Sequence, residues 1–157
     1  DFPPEFWLVE VSGIPYGLMG EMLEGGGNPW RGMLYGMTGR SPRVDNGPLW
    51  KLWDSFGMQN SEMIGYWVKD NPVKTGSEKT LATVYSHMGD KALISLATWE
   101  DADAKVKLSI DWVKLGLDPS KMTLHAPAIE NFQQEVTWKP GDEIVVPKGK
   151  GLLIIAK

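Results

Sequence analysis

Cysteine is absent from the 157 residues, which excludes disulfides and thiolate metal sites while leaving the compartment open. Positive charge is scarce too: 16 Lys and Arg stand against 20 Asp and Glu, a net charge of −4. Such a balance gives no electrostatic footprint for nucleic acid or for an anionic membrane, and neither is expected as a partner. No apolar run approaches the ~20 residues that a membrane-spanning helix needs. Histidine is limited to His87 and His125, far apart in sequence, so no metal site and no cofactor are expected, and no Ser/His/Asp ordering stands out. Gly25-Gly26-Gly27-Asn28 has glycines but no following Lys-Ser/Thr, so it is not a phosphate loop. Glu100-Asp101-Ala102-Asp103 lacks the ligand count and the glycine of a calcium loop and reads as a solvated turn. An initiator Met, a basic leader and an apolar leader are missing as well. The opening Asp1-Phe2-Pro3-Pro4 reads as cut from something longer.

What the chain does have is tryptophan, eight of them, together with 18 glycines and 11 prolines that mark many turns. The aromatic excess suggests either large packed surfaces or stacking on sugar rings. Organisation turns on the stretch Pro48 to Trp67. Leu49, Trp50, Leu52, Trp53 and Phe56 recur at the 3.6-residue period of a helix, and Gly57 follows where a left-handed cap stops one. Met63, Ile64, Tyr66, Trp67 and Val68 then form an aromatic and β-branched run suited to a strand.

Ahead of this junction, Phe6 to Val9 reads as a strand buried on both faces, followed by a short helix from Leu18 to Leu23. Met33 to Met37 reads as a second strand, and a polar loop runs from Thr38 to Gly47. Strand, helix, strand, loop, helix is the order of two β/α units of a parallel barrel, too few to close one. Beyond the junction, antiparallel strands alternate with turns: residues 80–87, 91–99, 104–112, 122–128, 132–138, 143–146 and 152–156. Residues 104–112 alternate most cleanly, and Pro140-Gly141 suits a type II turn. With the strand at 63–69, the predicted fold is mainly β: an antiparallel β-sandwich of about eight strands preceded by a truncated β/α segment. The predicted domains are residues 1–61, a barrel remnant, and 62–157, the sandwich.

Three stretches carry a resemblance: PLWKLWDSFG with MIGYW at the junction, KVKLSIDWVKLGLDP, and EVTWKPGDEIVVPKGKGLLIIAK at the end. Together they resemble the C-terminal region of bacterial glycoside-hydrolase-like proteins, where a (β/α)8 barrel is followed by a β-sandwich, as in α-galactosidase-type architectures. NPWRGMLYGMT looks like a last barrel strand of such proteins. The resemblance implies a carbohydrate partner met through the full-length protein, and a periplasmic or extracellular location. It also implies that most of the catalytic barrel lies upstream of Asp1, so that the chain alone is inactive and acts as an accessory part. A carbohydrate-binding module or a structural interaction domain is the alternative.

Glycoside hydrolysis needs two carboxyl groups flanking the scissile bond. Glu10 directly follows the predicted strand Phe6 to Val9 and is the catalytic candidate, since barrel active sites form where strands end. Arg40 and Asp45, in the loop after the second strand, and Trp30, just ahead of that strand, are the sugar-contact candidates; Arg43 shares the loop. Unpaired apolar strands at 6–9 and 33–37 would favour a homo-oligomer.

Overall fold

The computed structural model describes residues 3–5, 27–39 and 44–157. Its centre is a six-stranded antiparallel sheet built on a hairpin of β3 (Thr80–His87) and β4 (Lys91–Thr98), whose register runs from Thr80 opposite Thr98 to His87 opposite Lys91. Met88-Gly89-Asp90 turns the hairpin, with Gly89 in the left-handed region at φ 75°. On the far side of β4 lies the last strand, β10 (Gly151–Ala156). Beyond it come β7 (Leu124–Ala126) and β8 (Val136–Trp138), while β1 (Glu62–Ile64) closes the other edge against β3.

Period-2 alternation sends the two halves of these strands to different partners. Ala82 and Val84, Ile94 and Leu96, and Leu152 and Ile154 face one core. Two short ribbons cover it: β2 (Val73–Lys74) with β6 (Ser109–Ile110), and β5 (Ala104–Val106) with β9 (Ile144–Val146). The opposite face, with Tyr85, Leu93 and Leu153, is covered by a ten-residue helix, Gly47–Phe56, through Leu49, Leu52 and Phe56. We call this helix α2, and α1 is the five-residue Pro29–Met33. The fold is thus mainly β and antiparallel, as expected, but with ten strands among the described residues, and the layer opposite the sheet is two ribbons.

Several local expectations hold. Helix α2 ends at Gly57, whose φ of 78° forms the left-handed cap. Gly141 sits at φ 91° in the turn closed by the Asp142 N–H to the Lys139 carbonyl at 3.1 Å. Others need correction. Residues 33–37 are not a strand: Asn28 caps α1, its side chain accepting from the Arg31 N–H, Pro29 occupies the first turn, and a turn with Gly36 at φ 72° follows Met33. The strand expected over 63–69 stops at Ile64, because the chain doubles back and lays the Trp67 ring where a Cβ on Gly65 would stand. The alternation over 104–112 survives as burial but not as one strand. Its ends pair with different partners, and Asp111 caps a short helix α3, Trp112–Leu115, by accepting from the Lys114 N–H at 3.0 Å. Of the α2 aromatics, Phe56 and Trp53 pack on the sheet, Phe56 against His87, whereas Trp50 is 50 % exposed. Residues 6–9 and 18–23 lie outside the described residues.

Candidate functional site

Two arrangements bear on function: a grip that the sheet exerts on residues 28–37, and a cleft beside it. The grip is made by side chains on main chain. Tyr85 donates its hydroxyl to the Met33 carbonyl at 2.6 Å, and Thr83 donates to the Leu34 carbonyl at 2.8 Å. Asn28 donates its amide to the Gly149 carbonyl at 2.7 Å, and the Arg31 guanidinium lies 4.4 Å from the centre of the Trp99 ring. Met33 and Leu34 are 0 % exposed, so the carbonyls they carry need these donors. The short helix supplies the carbonyls because its C-terminal end leaves them without intrahelical partners.

A tyrosine pair extends the grip. The hydroxyls of Tyr35 and Tyr66 are 3.1 Å apart and both lie within reach of the Pro4 carbonyl. Trp67 stacks on Tyr35 at 6.0 Å and 11°. Burial, then the hydrogen bond to Tyr66, pushes the Tyr35 phenol well above its usual value; burial does the same to Tyr85 and raises Tyr66. Burial also lowers Arg31 from its usual value.

The cleft has a volume of about 510 Å³ and lies between the loop after β7 and the strands β8, β9 and β10. Phe132, Val136 and Trp138 form its apolar side, Gln134 and Asn131 supply amides, and Lys150 and Gly151 close it. Gln133 belongs to the wall: its amide donates to the Pro127 and Leu153 carbonyls and accepts from the Leu153 N–H at 2.7 Å. A smaller depression of about 320 Å³, lined by Asp45 and Pro29, shares Ile129, Asn131 and Phe132 with the cleft.

Of the site residues expected from sequence, the structure brings two to this region. Trp30 packs its ring on Phe132 at 5.0 Å, under the Lys150 ammonium at 5.3 Å. Asp45 lies on the other side of the same loop, exposed, with one oxygen accepting from the Gly47 N–H at 2.8 Å at the start of α2. Glu10, Arg40 and Arg43 lie outside the described residues. The cleft itself was missed. Its signal is the amide-rich Asn131-Phe132-Gln133-Gln134, of which residues 132–134 fall in the strand expected over 132–138, whereas the strand starts only at Val136. Among the described residues no group of three or more His, Cys, Asp or Glu could hold a metal ion, and no helix is long and apolar enough to cross a membrane.

Comparison with protein families matches residues 45–157 to the C-terminal domain of glycoside hydrolase 123, well over half the chain. The chain belongs to that family. Residues 1–42 match the TIM-barrel domain of glycoside hydrolase 123, so the end of a barrel followed by a C-terminal domain, expected from the resemblance, is what the chain carries. Searches of curated proteins and of solved structures returned no match. The two family 123 matches meet between residues 42 and 45, ahead of α2, whereas the change in composition lies behind it. The carbonyls gripped by Tyr85 and Thr83 therefore belong to the barrel-matched stretch and the two gripping side chains to the C-terminal domain, while Asn28 and Arg31 reach the other way, from the barrel-matched stretch to Gly149 and Trp99.

Proposed function

We propose that this chain is the C-terminal accessory part of a glycoside hydrolase, holding the last units of the barrel in place and inactive by itself. One observation carries this reading: the sheet of the C-terminal domain clamps the barrel-matched stretch by its main chain, at the Met33 and Leu34 carbonyls. A main-chain clamp fixes position without demanding particular side chains, as a support for a barrel end requires. Carbohydrate is met through the barrel, whose strand ends carry the carboxylates of such chemistry. Glu10 remains our catalytic candidate within this chain, with Arg40 and Asp45 beside the substrate.

The test is hydrolysis of a panel of nitrophenyl glycosides by this chain and by a family 123 protein with its whole barrel. Turnover by the whole protein and none by this chain is expected. Comparable rates from the two would overturn the accessory reading.

A further inference from the structure

We propose that the cleft between the 131–134 loop and strands β8 to β10 is a saccharide-binding site that takes a neutral sugar ring of a glycan. The proposal rests on the reading of the chain as part of a carbohydrate-acting enzyme, and adds to it a second place, on the C-terminal domain, where glycan is held.

The walls suit that ligand. Val136 and Trp138 are two apart on β8 and so share a face, and Val136 and Val145 are 40 % and 44 % exposed. With Phe132 they supply the apolar lining on which the C–H face of a pyranose can rest, in a cavity of about 510 Å³, within the range of small-ligand sites. Around the platform stand amides, from Asn131 and Gln134, which can both donate to and accept from ring hydroxyls. Among the described residues Lys150 is the one charged side chain lining the cleft, and it is drawn over the Trp30 ring, so those residues demand no ionic partner.

The edge of β10 forms the floor of the cleft at Gly151. Strand β7 pairs only with Ile155 and Ala156 of β10. Lys150 bonds across to Thr98 on the β4 side, so by antiparallel alternation Gly151, Leu153 and Ile155 turn their N–H and C=O the other way. Ile155 meets β7 and Leu153 meets the Gln133 amide, which leaves the Gly151 groups facing the cleft. Gly151 is buried and has no room for a side chain, since a Cβ there would collide with the Leu96 carbonyl oxygen of β4. The same geometry decides against an extended peptide. Strand addition needs a row of free backbone groups, and Gln133 has already taken the position next to Gly151.

The experiment titrates this 157-residue chain with neutral tetrasaccharides of glucose, galactose and mannose, following backbone amide NMR shifts and Trp fluorescence. Saturable shifts confined to residues 131–138 and 145–152 are expected with at least one of them. Gln134→Ala and Val145→Glu, both at exposed positions, should weaken that binding roughly tenfold or more with unchanged melting temperatures. Trp138→Ala should abolish it, and because that variant also touches the core, the two surface variants carry the decision. Trp50→Ala, on the exposed side of α2, should bind as the parent does. No shifts with any of the sugars, or shifts that survive Gln134→Ala and Val145→Glu, would overturn the proposal. So would shifts at Gly151 produced by a tri-valine peptide in place of the sugars. A binding failure without hydrolysis leaves the accessory reading standing, whereas hydrolysis by the chain removes that reading whatever binds in the cleft.

Discussion

Tyr85 does two jobs with one side chain: its ring fills the core beneath α2 and its hydroxyl satisfies the buried Met33 carbonyl. Phenylalanine would keep the first and lose the second. The Met33 carbonyl would keep only the long 3.5 Å bond from the Gly36 N–H, so Tyr85→Phe should lower stability by about 1 kcal/mol, measured by urea unfolding with an unchanged slope. Tyr35, Tyr66 and Tyr85 all have their phenol ionisation raised, with burial the leading cause. A group held protonated in the fold gives its full contribution below its ordinary value of 10.0 and loses it as pH rises beyond that. The melting temperature should therefore fall steeply above about pH 10. The fall should be shallower in Tyr35→Phe, and an equal fall in the parent and in that variant would show that the tyrosine cluster does not set the alkaline limit.

At the scale of the element, α2 is an amphipathic helix judged by one face. Phe56 is 2 % exposed against Leu93, Tyr85 and Leu153, whereas Trp50 is half exposed and its indole N–H only reaches the Thr38 hydroxyl at 3.3 Å. Phe56→Ala should cost about 3–5 kcal/mol, and Trp50→Ala within about 0.5 kcal/mol. Thermal melts of the two variants side by side check both. Gly57 supplies the left-handed cap, and alanine there should cost about 1 kcal/mol through its Cβ.

For the whole molecule, the barrel-matched stretch is a lid on one face of the sheet. Residues 33, 34, 35 and 37 are buried, so they are no free strand edge, and the self-association expected from residues 33–37 loses its basis. A chain beginning at Asp45 would bare Thr83, Tyr85 and Ala97, which now face residues 33–37. Size-exclusion chromatography with light scattering should show that shorter chain associating more than the 157-residue one, since bared apolar surface on a sheet face recruits partners. Equal monomeric elution of both would mean that the stretch is not a cover.

By itself the sequence determined what depends on near neighbours: the period and cap of α2, the hairpin of β3 and β4, the turn at Pro140-Gly141, and the mainly antiparallel β class. These are set by spacing and by residues with restricted dihedrals, and such signals are local. Residues 29–37 could not be read this way. Met33, Leu34 and Tyr35 are apolar in a row, which fits a strand equally well, and only the sheet that buries them on several sides makes a short helix and turn the better arrangement. The cleft was out of reach for the same reason. Trp30, Phe132, Trp138 and Lys150 meet only because β7, β8 and β10 are neighbours and a Gln133 amide stands in for a missing strand, a pairing fixed by the tertiary fold alone.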